Sequence, residues 1–190
     1  MNDFQVHTVD SAPEGSKPML ARRENQSGYV PGALAALAEN PSALRAYLDL
    51  SRTFSGAGFS PQEAEIVLLA ASIENGCRYC VAAHSAAAAA AGMDADSIER
   101  LRRDRPLSSA RLEILRQFTK RMVSQRGFLC DAEMTRFLAS GWTRSHALAV
   151  VLGVTLKTLS TYTNHMAETP LDDALQAYAW TPGKRSETFA

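Results

Sequence analysis

The residues whose types and spacing could support chemistry are Cys77, Cys80 and His84. They are three and four residues apart, so on an α-helix turning about 100° per residue they lie within an arc of about 60°. The Asn-Gly pair at 75–76 indicates a helix end just before them, and the alanine-rich stretch after the second cysteine favours a new helix. The spacing therefore predicts one helical face that carries two thiols and a base near the start of a helix.

A thiol in the first turn of a helix lies close to the positive end of the helix dipole, which stabilises the thiolate. CxxC thiols in such positions commonly have pKa values between about 3.5 and 7.5 instead of about 8.5. One sulfur could therefore be a nucleophile at neutral pH. His84 is within reach of Cys80 to accept its proton or to hold its thiolate, and Cys77 is positioned to form a disulfide with an oxidised Cys80.

Glu65 lies on the helix that precedes the cysteine pair. Ser60, Pro61 and Glu63 predict the start of that helix, because they form a capping box with proline at the first helical position. The residues that follow, as far as Ile73, are nearly all apolar, which is typical of a buried helix. A buried carboxylate needs a partner or has a raised pKa, so Glu65 is a candidate general base or proton-relay residue, although it could also be an ion-paired core residue.

The pattern E-x11-C-x2-C-x3-H formed by Glu65, Cys77, Cys80 and His84 resembles that of the AhpD-like alkyl hydroperoxidases within the carboxymuconolactone decarboxylase family. The resemblance is clearest over residues 60–92 and extends more weakly to the stretch YTNHMA at 162–167. It implies an all-α fold with a central helical hairpin that carries the CxxC pair. It also implies a homo-oligomer (dimer, trimer or hexamer) with thiol peroxidase or disulfide reductase activity and no metal or organic cofactor.

Catalytic roles also follow from the resemblance. The cysteine that matches Cys80 is usually assigned as the attacking thiol in that family, with Cys77 resolving it and Glu65 and His84 relaying protons. The best-known members carry a second histidine between the cysteines, where this chain has Tyr79. A relay through that position is therefore absent or altered here, while many peroxidase-like relatives also have an aromatic residue there.

Three alternative functions fit parts of this pattern. The CxxC pair could be half of a zinc site completed by His84 and by Glu65 or Cys130, but structural zinc usually draws its ligands from two separate knuckles. Lactone decarboxylation, found in the same family, needs no redox thiol. A redox-sensing or disulfide-exchange protein would use the pair to control an interface. The sequence favours a thiol-dependent peroxidase that reduces hydrogen peroxide or organic hydroperoxides and is recycled by an external dithiol reductant.

Two further residues could bear on the site. Cys130 stands at a predicted helix start and is more typical of a small buried residue than of a third redox centre. His165 could lie at a subunit contact or at the edge of a pocket.

Trp142 and His146 are one helical turn apart, and we expect them to pack together.

Composition restricts the class of protein. The chain has 190 residues, which suits one domain, and its 20 basic and 20 acidic residues cancel, which gives no electrostatic footprint for nucleic acid or an anionic membrane. It has no long apolar run that predicts a transmembrane helix and no N-terminal pattern of a secretory signal. Three cysteines, two of them in CxxC, are typical of redox chemistry in a reducing compartment, so we expect a cytoplasmic protein.

The apolar spacing predicts an irregular N-terminal arm (1–28), a helical domain (29–180) and a short tail (181–190). Strand signals are nearly absent. The last long helix has a broad apolar face, which is expected where a helix packs both within its subunit and against a neighbour. Helices are predicted around the following ranges: 29–39, 41–54, from 61, from 77, 94–101, 109–125, 131–139 and 143–167.

Overall fold

A computed structural model describes residues 4–182 of the chain. Within that range the secondary structure is entirely helical, so the predicted all-α class is confirmed. No helix of these residues has the length and hydropathy that a membrane span requires. The helices are α1 (Lys17–Ser27), α2 (Gly32–Leu37), α3 (Pro41–Ser55), α4 (Pro61–Glu74), α5 (Arg78–Ala90), α6 (Ala95–Arg102), α7 (Ala110–Ser124), α8 (Asp131–Ala139), α9 (Arg144–Met166) and a 3₁₀-helix (Asp173–Tyr178).

Helix α4 is the centre of the fold. All of its residues from Ile66 to Ser72 are buried, and it packs against α5, α7 and α9. The contact with α9 is very close at Gly153, where a Cβ atom would lie 2.8 Å from side-chain atoms of both Phe54 and Val67. Only glycine fits there, so α9 packs very closely against α4 at this position.

Helices α4 and α5 form the predicted hairpin. The capping box at the start of α4 is confirmed, since the Glu63 N–H donates to Ser60 Oγ and the Ser60 N–H donates to Glu63 Oε2. Helix α4 ends in a turn at Gly76, whose φ of 68° favours glycine, and Cys77 then caps α5. The connection between the two helices is short, which brings Glu65 of α4 opposite α5.

The N-terminal arm differs from the prediction of an irregular segment, because it contains α1. Helix α1 has proline in its first turn and ends at Gly28 in the left-handed conformation, but Leu20 is its only buried residue, so it lacks a visible apolar period. Before α1, His7 is buried and its Nε2 lies 2.9 Å from Glu39 Oε2. The arm is therefore ordered against the helical domain, and its residues 1–3 lie outside the described range.

The C-terminal segment (residues 168–182) also packs on the domain. Its 3₁₀-helix, which was not among the predicted helices, contacts α5 and buries Leu175. Arg102 at the end of α6 holds this segment, since its guanidinium donates to the carbonyl oxygens of Tyr178 and Ala179 at 2.9 and 2.8 Å. The indole N–H of Trp180 donates in return to the carbonyl oxygen of Arg102. Residues 183–190 of the predicted tail lie outside the described range.

Candidate functional site

The cysteine pair lies at the start of α5, as the spacing predicted. Cys77 is the residue that caps the helix, and its sulfur accepts a hydrogen bond from the backbone N–H of Cys80 at 3.3 Å. The two sulfurs form a disulfide, with the Cα atoms 5.3 Å apart. Both residues are buried, with 0% of Cys77 and 1% of Cys80 exposed. The pair is thus shielded from solvent in its oxidised state.

Glu65 and His84 face each other across the α4–α5 hairpin. His84 Nδ1 and Glu65 Oε2 are 2.9 Å apart, and 16% of each side chain is exposed. With the carboxylate ionised, His84 donates the Nδ1 proton to Glu65. Nε2 is then the nitrogen of the neutral imidazole that can accept a hydrogen bond. The structure therefore brings together the glutamate and the histidine that the sequence analysis selected.

Lys157 completes this polar chain from the opposite side. It comes from α9, is 2% exposed, and its Nζ lies 2.9 Å from His84 Nε2. Burial lowers the pKa of the Lys157 amine to about 7, against the opposing effect of Glu65. Burial, and secondarily the Lys157 charge, lower the pKa of His84, although the nearby Glu65 acts in the opposite direction. A carboxylate, an imidazole and an amine are thus linked in one line, and the imidazole and the amine both have pKa values below their ordinary ones.

The hydrogen bonds to Cys80 come from α9 rather than from His84. Among the described residues, Thr161 Oγ1 lies 3.6 Å from Cys80 Sγ, and Asn164 Nδ2 lies 3.4 Å from the same sulfur and 3.9 Å from that of Cys77. Both ring nitrogens of His84 are already paired with Glu65 and Lys157. The expected direct contact between His84 and Cys80 is therefore not made in the disulfide state.

Sequence reasoning missed the contribution of α9 to the site. Lys157, Thr161 and Asn164 are spaced by four and three residues, so they lie on one face of the helix, and all three are buried. The available signal was Lys157 itself, a charge inside a largely apolar helix that needs a buried partner. Asn164 lies in the YTNHMA stretch that resembled the peroxidase-like chains, but no role was attached to it.

A cavity of about 510 Å³ lies beside the first cysteine. Its walls come from the start of α5, the end of α9 and the C-terminal segment, and they include Cys77, Arg78, Asn164, His165 and Trp180. His165 is exposed at this cavity, which agrees with the pocket-edge alternative for that residue. Of the two cysteines, only Cys77 belongs to the described residues that line it.

Tyr79 lies between the cysteines, and its hydroxyl has a structural role. Its O–H donates to Asp172 Oδ2 at 2.6 Å, and Asp172 Oδ1 accepts the backbone N–H of Gly32 at 3.0 Å. Burial and the Asp172 carboxylate raise the pKa of Tyr79 far above its ordinary value. The phenol remains protonated at neutral pH, so this position ties α5 to α2 and the C-terminal segment and does not carry protons.

The remaining sequence expectations had mixed outcomes. Cys130 is exposed, and the prediction of a small buried residue is wrong, because its helix α8 starts at the surface. Trp142 and His146 do pack together, with ring centroids 5.2 Å apart. Across residues 4–182, no group of three or more His, Cys, Asp and Glu side chains is arranged to hold a metal ion.

Three solved structures share the fold of this chain. An uncharacterized peroxidase-related protein from Ralstonia eutropha JMP134, described as an alkylhydroperoxidase AhpD core, superposes with a TM-score of 0.80 at 18% identity over 90% of this chain and 93% of its own. A peroxidase-related protein from Silicibacter sp. TM1040 gives 0.71 at 20% identity over 90% and 89% of the two chains. The debrominase Bmp8, solved as a variant in complex with 2,3,4-tribromopyrrole, gives 0.77 at 13% identity over 94% and 96%.

These likenesses establish the fold, and the class is that of AhpD-like all-α proteins with a CxxC pair at the start of a central helix. No curated protein matches the chain by sequence. Residues 32–106, which include Glu65, both cysteines of the pair and His84, match the family model described as the carboxymuconolactone decarboxylase family. The family match over residues 32–106 and the shared fold support an AhpD-like protein that is similar to the carboxymuconolactone decarboxylase family.

Proposed function

We propose that the protein is a thiol-dependent peroxidase that reduces hydrogen peroxide or organic hydroperoxides. The observation that carries the proposal is a buried Cys77–Cys80 disulfide on the same helix as His84, which is paired with Glu65 at 2.9 Å. A redox-active dithiol beside a coupled acid–base pair has the groups that peroxide reduction requires. Members of this family include enzymes, and the AhpD-like fold and the CxxC pair are consistent with a redox role.

The proposed reaction begins with the reduced pair. The Cys80 thiolate attacks one peroxide oxygen, the O–O bond breaks, and the released alkoxide or hydroxide takes a proton, which leaves Cys80 as a sulfenic acid. The Cys77 thiolate then attacks the Cys80 sulfur, the S–O bond breaks, and the departing hydroxide takes a proton to become water. The disulfide is reduced by an external dithiol, which supplies two electrons and two protons.

The neighbouring residues have separate roles in this scheme. Neutral His84, oriented by Glu65, accepts and returns protons, and Lys157 exchanges protons with its Nε2. The hydroxyl of Thr161 and the amide of Asn164 are positioned to stabilise negative charge on the Cys80 sulfur. Lys157, Thr161 and Asn164 therefore join the four residues selected from the sequence as candidate members of the site.

The chain is further proposed to form a homo-oligomer through the outer face of α9. Large apolar side chains are exposed along this face at Leu148, Val151, Tyr162 and Met166, with 72% of Leu148 and 61% of Tyr162 accessible. Exposed apolar patches commonly mark contact surfaces. Size-exclusion chromatography with light scattering tests this expectation, and a monomer at micromolar concentration would contradict it.

The cytoplasm remains the expected location, because a working dithiol needs a reducing compartment.

Peroxide consumption by purified, chelator-treated protein with a dithiol reductant tests the function. We expect sustained turnover and the loss of two of the three thiols after one equivalent of peroxide, with Cys130 remaining. Loss of two thiols without turnover would support the alternative of a redox-sensing or disulfide-exchange protein. If no thiol were lost, the pair would not be redox-active towards peroxide and the proposal would fail.

A further inference from the structure

We propose that the C-terminal segment (residues 168–182) is a lid over the cysteine pair, and that it has to move away from α5 before a reagent from solution can reach either sulfur. The inference rests on the proposed function, because it states what controls access to the pair that this function uses. It starts from the burial of the disulfide, with 0% of Cys77 and 1% of Cys80 exposed. A bond that is buried in this way reacts with an external reagent only when the structure around it opens.

Apolar side chains of the segment cover the pair. Cys77 and Cys80 share a buried apolar cluster with Leu175 of the 3₁₀-helix. Leu171 and Tyr178 of the same segment pack against this cluster, and α2 and α9 contribute further cover. Displacement of the 3₁₀-helix would therefore uncover the part of α5 that carries the cysteines.

The segment is the part of this cover that can leave with the smallest loss of packing. Helix α9 packs on α2, α3, α4 and α7, so its displacement would break the main core. The 3₁₀-helix packs mainly on α5 and buries a single residue, Leu175. Elements with few buried contacts open locally at a much lower free energy than core helices do.

Cavities border the segment on both sides of Trp180. This residue lines the cavity of about 510 Å³ beside Cys77 and, within the described part of the chain, a second cavity of about 580 Å³ that Ile73 and Arg102 also line. Close-packed interiors contain few voids of this size, and side chains that border one make fewer protein contacts on that side. The segment is therefore loosely packed where it passes the start of α5.

Arg102 holds the end of the segment that lies farther along the chain from α9. Its guanidinium donates to the carbonyl oxygens of Tyr178 and Ala179, and its own carbonyl oxygen accepts the indole N–H of Trp180 at 2.9 Å. At the other end, Asp172 accepts hydrogen bonds from the Tyr79 hydroxyl and from a backbone N–H of α2. With Asp172 fixed, the 3₁₀-helix can lift from α5 once the bonds to Arg102 break.

The rate of disulfide reduction by dithiothreitol measures this opening. Arg102→Met removes both donors to the segment and keeps the apolar part of the side chain, so we expect the second-order rate constant to rise about tenfold. Arg100→Met is the matched control on α6, since Arg100 is bonded to Asp96 and to the carbonyl oxygen of Pro106 instead. It should keep the rate constant of the wild type. An unchanged rate constant in Arg102→Met would overturn the proposal.

Two further variants separate the segment from the other contacts of Arg102. Its guanidinium also donates to Ser85 Oγ of α5 at 3.0 Å, so Ser85→Ala removes this bond alone and should react like the wild type. Trp180→Phe removes only the indole N–H and should raise the rate constant about threefold, which keeps the test available if Arg102→Met does not fold by circular dichroism. An increase in Ser85→Ala equal to that in Arg102→Met would mean that Arg102 acts through α5, and would refute the lid.

Hydrogen–deuterium exchange identifies the part of the chain that opens. The amides of Leu175 and Ala179 are bonded within the segment, and in Arg102→Met we expect them to exchange about tenfold faster than in the wild type. Amides of the core helix α4 should keep their wild-type rates. Equal acceleration in both regions would show a global loss of stability and would refute the lid.

Urea separates local opening from global unfolding, because the urea dependence of an opening equilibrium scales with the surface that is exposed. The rate constant for reduction of the wild type should rise with urea, but much less steeply than the global unfolding constant. A slope equal to that of global unfolding would mean that the disulfide reacts only in the unfolded chain. A rate constant independent of urea would mean that the reagent reaches the sulfurs without opening. Either result would overturn the proposal.

These measurements need no peroxide, so they are independent of the proposed function. Faster reduction of Arg102→Met in a protein without peroxidase turnover would support the lid and remove the peroxidase proposal alone. An active peroxidase in which Arg102→Met is reduced at the wild-type rate would lose only the lid.

Discussion

The two sulfurs of the disulfide are three residues apart but lie in different surroundings. On the Cys77 side are the start of α5, the C-terminal segment and an open cavity. On the Cys80 side are hydrogen-bond donors from α9, and nearby is the chain of Glu65 from α4, His84 from α5 and Lys157 from α9. The first side borders open space, and the second holds groups suited to proton transfer and stabilisation of charge.

This difference indicates how a symmetric bond can undergo two different reactions. Cys77 borders the cavity, so space for an incoming group lies nearer to it than to Cys80, although Cys77 itself is 0% exposed in the oxidised state. A sulfur enclosed by donors is suited to carry negative charge, which needs stabilisation more than space. In the proposed cycle, Cys80 is the sulfur that carries negative charge and attacks the peroxide, and Cys77 is the sulfur that closes the disulfide.

The largest effects should come from replacing the sulfurs one at a time. Cys80→Ser should lower the rate of protein oxidation by one equivalent of peroxide by more than about 10³-fold, because the attacking thiolate is lost. Cys77→Ser should still oxidise once and accumulate a sulfenic acid on Cys80, detectable by dimedone labelling and mass spectrometry. Cys130→Ser serves as the matched control. Sulfenic acid on Cys77 in the Cys80→Ser protein would reverse the assignment of the two sides.

Removing the carboxylate on the Cys80 side should have the next largest effect. Glu65→Gln keeps the shape of the side chain but not its charge, and we expect peroxide turnover to fall about 10²-fold. Glu65 acts to raise the pKa of His84, so its loss should lower that pKa further. The rising limb of the pH–rate profile should therefore move to lower pH, with a lower plateau. An unchanged profile from pH 4 to 8 would show that His84 is not the titrating base.

Lys157→Met tests the buried amine through stability. The pKa of Lys157 is about 7 in the fold and about 10.4 in the unfolded chain, so between these values the unfolded state binds more protons. The amine therefore makes the free energy of unfolding rise with pH in this window, by up to about 1.4 kcal/mol per pH unit. Urea denaturation at several pH values should show this slope in the wild type and lose it in Lys157→Met.

Lys17→Met at the N-terminal end of α1 is the control for this measurement, since Lys17 is ion-paired with Glu14 at the protein surface. It should retain the slope of the wild type. An equal slope in Lys157→Met and the wild type would mean that the buried amine keeps its ordinary pKa.

The smallest effect is expected on the Cys77 side, from Tyr79→Phe. This change removes the hydroxyl that donates to Asp172 at 2.6 Å and leaves a partly unsatisfied carboxylate, which should lower the free energy of unfolding by about 1 to 3 kcal/mol. Because the phenol is protonated and carries no protons in the cycle, turnover at saturating peroxide should stay within about twofold. A loss comparable with that of Glu65→Gln would mean that Tyr79 takes part in proton transfer.

Local sequence signals predicted the first half of the site well. The capping box at Ser60, the turn at 75–76 and the cysteine spacing are all short-range features, and they placed Glu65 and His84 on two consecutive helices. Helix caps and periodicity depend on residues within a few positions of each other, so the sequence exposes them directly. The family resemblance supplied the helical hairpin that joins these helices and the roles of the four residues.

The second half depended on contacts between distant parts of the chain. Lys157 meets His84 across 73 residues, and Asn164 meets Cys80 across 84. A periodic pattern does not show which helix face will pack on another, and for the last long helix it indicated only a broad apolar face. The wall contributed by the C-terminal segment was missed for the same reason, since Arg102 holds it through carbonyl oxygens that any residue type provides.

The position of Cys77 as the residue that caps α5 has a consequence for the driving force of the redox cycle. Its sulfur accepts the Cys80 N–H, and a thiolate accepts such a bond more strongly than a disulfide sulfur does. The first turn of α5 therefore stabilises the reduced, ionised pair relative to the bridged one. Reduced states that are stabilised in this way correspond to more strongly oxidising disulfides. The helix that presents the cysteines thereby also biases the equilibrium towards accepting electrons.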